Sequence, residues 1–524
     1  MTILLRRAFN RLAQLGLSGV VVAPILASWG AEPITLPSGK DVEGLGAGWP
    51  RQQAKAFLEA APIPVEQLQN LDMATAVRLA NQRNPVVRQN FDDLLATQNS
   101  LGAAYATWWP VINVDLNGGL YGETAYYNYQ GAVSGVGNPY GGNATAFNGS
   151  YFQSLSQFDI TWNLLDPART PSIWKNKYLV RQAVDTYVIA RRDNRLRTQQ
   201  AFIELQRAMA RIKTGRELVS NDQRLLGLAQ ARVALGVSSK LEIAKQTTTL
   251  KTDQVNLANS VIDSEVAQAD LAELLSETRA SSLRPATELA PLGSWAVGLD
   301  DTIQAAMQYR KVIEQQLMNV KINQAQAQID LSVYRPTVAL VNSLYWTKGA
   351  GYTAVGPPWV ANAQSDLWNG SSLLQLTFRG FDGGQARMAA EAAMKRAKSA
   401  EAATLQAANQ VRREVQTYYA QVTQGRQAVL LASQRTNAAS SALRLQSLRF
   451  SAGYGTITDV VQAQQDLTQA VADYIGQLAG YNVALVSLAR ASGLTYEPDP
   501  QLEKELGNPL SRLQLPSLTR PAPN

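Results

Sequence analysis

Two very long stretches of this 524-residue chain contain no proline, one from Ser172 to Arg284 and one from Trp359 to Glu497. Proline ends helices because it lacks an amide donor and its ring clashes with the preceding turn. Both stretches are rich in Ala, Gln, Arg and Leu, all good helix formers. Residues 384–451 can therefore form one helix of almost seventy residues, about 100 Å long at 1.5 Å per residue. A helix well beyond about 25 residues needs a partner of similar reach, which points to a coiled coil or bundle rather than a globular domain. The apolar positions Val460, Ala463, Leu467, Ala470, Tyr474, Leu478, Tyr481, Leu485 and Leu488 supply the seam. They recur mostly at alternating steps of three and four, as knobs-into-holes packing requires. The alanines among them let helices approach closely.

Each run is interrupted once. "RVALGVSSKLEIAKQTTTL" at 232–250 aligns with "RFSAGYGTITDVVQAQQDL" at 449–467, matching Gly236 with Gly453 and Glu242 with Asp459. A glycine just past a helix C-terminus closes it with a left-handed residue. Ser238 or Ser239, and Thr456 or Thr458, can then cap a new helix. Thr456 and Asp459 have capping-box spacing, with Asp in place of the usual Glu or Gln. Two long helices joined by so few residues fold back antiparallel. Gly236, Gly453 and Gly455 thus mark the tips of two hairpins, expected near 236–242 and 453–459.

The hairpins belong to a larger duplication with a period of about 220 residues, far longer than a solenoid unit. The halves span 71–284 and 299–493. Each opens on a helix, "LDMATAVRLANQRNP" at 71–85 and "LDDTIQAAMQYRKV" at 299–312, and each then meets a proline stop at Pro110 or Pro336. A strand, a Gly/Tyr/Asn-rich loop and a second strand follow. Strands are expected near 111–121, 151–163, 337–346 and 372–381, with loops at 121–150 and 347–370. In the first, Ile112, Val114 and Leu116 oppose Asn113, Asp115 and Asn117; in the second, Phe158, Ile160 and Trp162 oppose Gln157, Asp159 and Thr161. In the fourth, Leu374, Leu376 and Phe378 oppose Gln375, Thr377 and Arg379, while the third alternates less clearly. Such alternation means one wet face and one apolar face. Trp108, Trp109, Tyr121, Trp162, Tyr345 and Trp346 flank the strands as an aromatic girdle would. Four strands cannot close a lipid-facing barrel alone, so a barrel needs several chains.

Composition limits the chemistry. The chain has no cysteine and no histidine, which removes disulfides, thiolate ligands and the usual neutral-pH general base. Neither paired carboxylates in an expected cleft nor a phosphate-binding glycine loop is found, so no catalytic residue, metal ligand or cofactor is assigned. Asp166 and Asp382 are read as caps at the strand-to-helix junctions. The net charge of +7 is spread thinly, without the basic aromatic stripe of a nucleic-acid binder. Residues 1–31 have the Arg-rich start, apolar stretch and small-residue end of a signal peptide. No other segment is apolar for long enough to span as a helix, so an exported, membrane-embedded chain must span by strands. Residues 32–67 read as irregular, and the Pro-rich residues 495–524 as a poorly ordered tail.

The duplicated halves, the "LANQRNP" opening and "SAGYGTITDVVQAQQDLTQAVADYIGQLAGYNVALVSLARASG" resemble the TolC family of outer membrane efflux proteins, over about 71–493. The resemblance implies a mixed α/β membrane protein. Three chains would share a 12-stranded outer membrane β-barrel, four strands from each, continued by a periplasmic α-helical barrel. It implies a homotrimer that meets outer membrane lipid, a periplasmic adaptor and an inner membrane transporter. The function would be passive passage of cargo through an efflux or type I secretion duct. In the family, acidic side chains ring the tunnel entrance at the tips. Asp459 stands at the first ring position, Gln462 replaces an acid at the next, and Glu242 is the first-half counterpart of Asp459. Ile457 stands where a family member has a basic residue in its closing network. Gly236, Gly453 and Gly455 lie where the adaptor docks. Two other classes fit less well. A secreted structural or adhesive coiled coil leaves the amphipathic strands unexplained, and a simple porin leaves the long hairpins unexplained.

Overall fold

The computed structural model describes residues 63–119, 151–236, 239–353, 360–507 and 509–512, all within one compact unit that spans 53–524. The signal-peptide reading of 1–31, the loop 121–150 with Tyr121, and Ser238 lie outside the described residues.

The first half contains α1 (Val65–Gln69), α2 (Met73–Arg83), α3 (Pro85–Ala106), β1 (Val111–Gly119), β2 (Tyr151–Leu165), α4 (Arg169–Ala234) and α5 (Lys240–Leu275). The second contains α6 (Leu299–Tyr309), α7 (Lys311–Ser332), β3 (Thr337–Thr353), β4 (Val360–Thr377), α8 (Gln385–Ser451) and α9 (Ile457–Ser492), followed by α10 (Pro500–Leu506). Corresponding helices agree closely in length. α2 and α6 have 11 residues each, α3 and α7 have 22 each, α4 and α8 have 66 and 67, and α5 and α9 have 36 each. Among the described residues no helix is long and apolar enough to cross a membrane.

Local chemistry sets the breaks. Asp72 caps α2 by accepting from the Thr75 amide at 3.2 Å. α2 then stops before Asn84–Pro85, where Asn84 accepts from the Val86 amide at 2.9 Å and Pro85 opens α3. The helix expected over 71–85 is therefore α2, and a second helix, α3, continues from Pro85 to Ala106. The same happens in the second half, without a proline, at Arg310, whose guanidinium reaches Glu414 at 2.8 Å. α4 begins before the proline-free run and holds Pro171 in its first turn, where amides have no helical partner. Asp166 accepts from the Ala168 amide at 2.9 Å. Asp382 accepts from the Gly384 and Ala386 amides at 2.9 and 3.0 Å and from the Tyr334 hydroxyl at 2.8 Å.

The strands form one antiparallel sheet in the order β1-β2-β3-β4. Pairings of Val114 with Phe158, Phe158 with Leu344, Trp162 with Leu340, and Leu340 with Leu374 put the apolar residues on one face. Ile112, Val114, Leu116, Phe158, Ile160, Leu374 and Leu376 remain exposed there. On the other face Ser343 donates to Asp159, its partner in register, at 2.6 Å. The register also resolves β3: Val338, Leu340, Leu344 and Trp346 share the apolar face. The segment expected as the loop 347–370 is largely strand, since β3 runs on to Thr353 and β4 starts at Val360. β4 ends at Thr377, so Phe378 and Arg379 lie beyond the strand that had been expected to reach 381. Apart from Val360, Leu367 and Trp368, the segment 360–371 is small and polar and shows little strand propensity of its own; its hydrogen-bonded partner β3 imposes the conformation.

The nine seam residues of α9 are all buried, with Val460, Ala470, Leu485 and Leu488 fully so. They pack with α8 residues such as Val415, Val422, Val429 and Leu443. The interface between α4 and α7, near the sheet, is polar instead. Lys175 donates to Gln326 at 2.7 Å, Gln182 to Asn319 at 2.6 Å, Gln315 to Thr186 at 2.8 Å and Arg181 to Glu314 at 3.3 Å.

Two terminal expectations are corrected. α1, Val65–Gln69, begins inside the segment 32–67 read as irregular and buries Leu68. The tail is ordered as far as α10, where Leu502 and Leu506, one helical turn apart, are both buried. Ser433 donates to the Leu506 carbonyl at 2.9 Å, and Asp499 caps the helix through the Leu502 amide at 2.9 Å. Here proline opens a helix rather than preventing order.

Candidate functional site

At the first tip α4 closes through Gly236, whose φ is +73° and whose amide donates to Val233 at 3.0 Å. Ser239 is extended before α5, but its side chain makes no cap. At the second tip Gly453 has φ +85°, and the Tyr454 amide donates to Arg449 at 3.0 Å. Gly455 serves a different need. Its φ is not positive, but a Cβ there would sit 3.0 Å from the Phe450 amide nitrogen. One glycine is required by backbone conformation and the other by close approach.

Thr456 opens α9 with a reciprocal capping box. Its hydroxyl accepts from the Asp459 amide at 3.3 Å and donates to the Asp459 carboxylate at 2.8 Å, and that carboxylate also takes the Thr456 amide at 3.3 Å. Asp459 is exposed, with one carboxylate oxygen occupied by its own helix start. Glu242 is half-buried, and one of its carboxylate oxygens is enclosed without a partner. No hydrogen bond or ion pair among the described residues joins Glu242 to Asp459. Gln462 is exposed and donates to Asp466 at 3.0 Å. Ile457 is buried in the tip core with Phe450 and Val460.

The contacts between the two hairpins were not anticipated. Arg232, in the last turn of α4, donates to the Phe450 carbonyl at 2.5 Å and lies 4.4 Å from the centre of the Phe450 ring. Lys245 on α5 donates to Thr458 on α9 at 3.0 Å. Thr468 on α9 donates to Asp253 on α5 at 3.4 Å. Asp253 faces a second buried carboxyl, Asp222 on α4, to whose side chain Gln246 donates at 3.4 Å. Burial pushes the Asp222 carboxyl far above the usual range, and the neighbouring Asp253 adds to the shift. These residues are far apart in sequence and sit in ordinary heptad-like surroundings, so no local pattern marks them.

The arrangement consists of long hairpins attached to a sheet with one apolar and one polar face. The outer membrane efflux protein family matches at residues 76–277 and 302–494, one segment in each half. Three solved structures illustrate the fold. A membrane protein from Pseudomonas aeruginosa is 19% identical with a TM-score of 0.66, covering 83% of this chain and 97% of the other. The outer membrane protein VceC from Vibrio cholerae is 16% identical with a TM-score of 0.65, covering 83% and 100%. The outer membrane channel CmeC from Campylobacter jejuni is 14% identical with a TM-score of 0.66, covering 87% and 93%. No curated protein sequence matches the chain. Matched in both halves, with its strands for the outer membrane and its hairpins for the periplasm, the chain belongs to the outer membrane efflux protein family.

Proposed function

We propose that three copies of this chain form the exit duct of a tripartite efflux or type I secretion system. The observation that carries the reading is the pairing of two features in one chain. One is a four-stranded sheet with free edges at β1 and β4. The other is a pair of helices, α4 and α8, long enough to reach about 100 Å from it. Twelve strands close a barrel where four cannot. The exposed apolar face then meets lipid, and the polar face lines the lumen. The hairpin tips with Gly236, Gly453 and Gly455 receive a periplasmic adaptor, which links the duct to an inner membrane transporter that supplies the energy. The chain itself is a passive conduit without catalytic residues or cofactor.

Asp459 is proposed as the acidic ring of the entrance, with Glu242 beside it, Gln462 weakening the second ring position and Ile457 closing the core behind it. Its exposure at the start of α9 supports this role, and the role is compatible with the cap, since the cap engages one carboxylate oxygen and the side chain faces solvent. Three such carboxylates gathered together attract cations.

Negative-stain images of the purified protein in detergent are expected to show three-fold particles about 100 Å long or more. Crosslinking in the native envelope should capture an adaptor and an inner membrane pump. Particles without three-fold symmetry would overturn the assembly. For the ring, Asp459→Asn should lower cation selectivity and divalent-ion block in planar bilayers; unchanged values would reject it.

A further inference from the structure

Less than a fifth of the way along α4 from the tip, the two hairpins meet at carboxyl groups that no tip motif explains. Asp222 is fully buried and Asp253 nearly so. Among the described residues, the one charged group that acts on Asp222 is Asp253, so neither α8 nor α9 contributes a charge to it. The basic side chains nearby are engaged elsewhere. Lys245 donates to Thr458, Lys251 to Gln254, Arg224 to Asn221 and Arg232 to the Phe450 carbonyl. On α9 the Asp459 carboxylate is held by Thr456 and the Asp466 carboxylate by Gln462.

The carboxylate oxygens can be followed one at a time. Asp222 Oδ1 accepts from Gln246 at 3.4 Å. Asp253 Oδ1 accepts from Asn256 at 3.3 Å, and Asp253 Oδ2 from Thr468 at 3.4 Å. Only Asp222 Oδ2 has no donor. Two ionised carboxylates side by side in a buried site repel strongly, and one proton held between them removes most of that cost. A metal ion is a poorer fit, because the N–H and O–H groups of Gln246, Asn256 and Thr468 already point their hydrogens at these oxygens. A second feature marks the same layer. Gln464 on α9 is fully buried with neither amide atom bonded, and the Gln246 amide oxygen is likewise unpartnered. Gln464 lies between Thr458 and Thr468, whose contacts with Lys245 and Asp253 bracket Gln246 on α5. Buried polar groups of this kind are seldom left unsatisfied without a role.

We propose that Asp222 and Asp253 form a proton-binding site that holds a single shared proton, on Asp222 Oδ2, and that this proton fastens the first hairpin to the second through Thr468. The raised affinity of Asp222 for its proton, caused by burial and by Asp253, agrees with the geometry. With the proton in place, α4, α5 and α9 are joined in one hydrogen-bonded layer beneath the tips. Without it, two like charges share the interior and α4 and α5 are driven apart at this level, which carries the Asp253 carboxylate away from Thr468. The tips of the two hairpins then separate at alkaline pH.

The absence of native cysteine allows a clean test. Spin labels on Leu235→Cys and Tyr454→Cys, both at exposed tip positions, report the distance between tips. The labelled full-length chain is mixed with excess unlabelled chain, so that each assembly carries one labelled copy. From about pH 5 to about pH 10, the distance distribution should stay narrow at low pH and lengthen and broaden as the proton is lost. Asp222→Asn, which cannot ionise, should hold the narrow distribution throughout. Asp253→Asn should do the same, and provides the comparison if the first variant does not fold. At about pH 7, above the titration of Asp185, the carboxylic-acid C=O infrared band should be weaker in Asp222→Asn than in the unsubstituted chain. A wild-type distribution independent of pH, or the same pH response in either variant, overturns the proposal. A transition displaced by EDTA overturns it as well, because a metal ion rather than a proton would then hold the pair.

Discussion

Gly453 and Gly455 are two residues apart and are small for different reasons, which single substitutions can separate. Gly453→Ala places a Cβ on a left-handed residue with open space around it. It should cost about 1 kcal/mol, seen as a small loss in denaturant midpoint, with the tip otherwise intact. Gly455→Ala presses against the Phe450 amide. It should displace Phe450 from Arg232 and cost more, measurable as faster hydrogen exchange at the tip; equal effects of the two substitutions would contradict this assignment. A second residue-scale prediction concerns Asp185, fully buried on α4 with both carboxylate oxygens unbonded and Lys311 at 3.9 Å. Burial raises its pKa to about 6, with Glu314 adding and Arg181 and Lys311 opposing. An unfolded aspartate titrates near about 3.9. Between these values the folded chain keeps a proton that the unfolded chain releases, so stability falls as pH rises through this window and stays lower above it. Asp185→Asn should therefore unfold at a higher temperature than the parent at about pH 8, with the gain vanishing near about pH 4. Circular dichroism melts at both pH values check it. At this scale the tip caps were legible in the sequence, because Gly453, Thr456 and Asp459 act over a few residues. Asp185, and the pairing of Asp222 with Asp253, were not, because each depends on what another helix presents.

The helices show the same division between local and distant information. The α9 seam was readable because spacing alone identifies a buried stripe, and every residue on it is buried. The polar seam between α4 and α7 was invisible, since Gln182, Thr186, Gln315 and Asn319 look like solvated helix faces until they meet. The two seams should respond differently to truncation. Leu467→Ala, in the apolar seam, should cost about 2–5 kcal/mol. Gln182→Ala, which removes one hydrogen bond from a partly exposed seam, should cost about 0.5–1.5 kcal/mol. Denaturant unfolding of both variants measures the difference, and comparable losses would show that the polar seam carries more of the stability than its exposure suggests. The strand ends and the docking of α10 escaped the sequence for a related reason. Residues 360–371 have weak strand character without β3, and the tail's prolines masked the Leu502–Leu506 pair.

For the whole molecule, the reach of the hairpins was legible in the sequence, whereas the number of copies enters only through the need to close the proposed barrel. That need predicts the behaviour of an edge variant. Val114→Pro should remove a hydrogen-bond donor from β1 and block pairing between chains, while the hairpins keep their helical circular dichroism. The purified variant should run as a monomer and carry no current in bilayers; a conducting trimer would show that closure does not depend on this edge. The open edges also bear on the life of the chain before it reaches its membrane. A sheet with uncovered apolar residues and unpaired strands at both sides is a template for any other extended chain it meets. In the proposed assembly, correct pairing with other copies of the chain therefore competes with aggregation. The sheet that would seal the proposed duct leaves its unassembled chain open to mispairing, so local chain concentration should govern yield as strongly as intrinsic stability does.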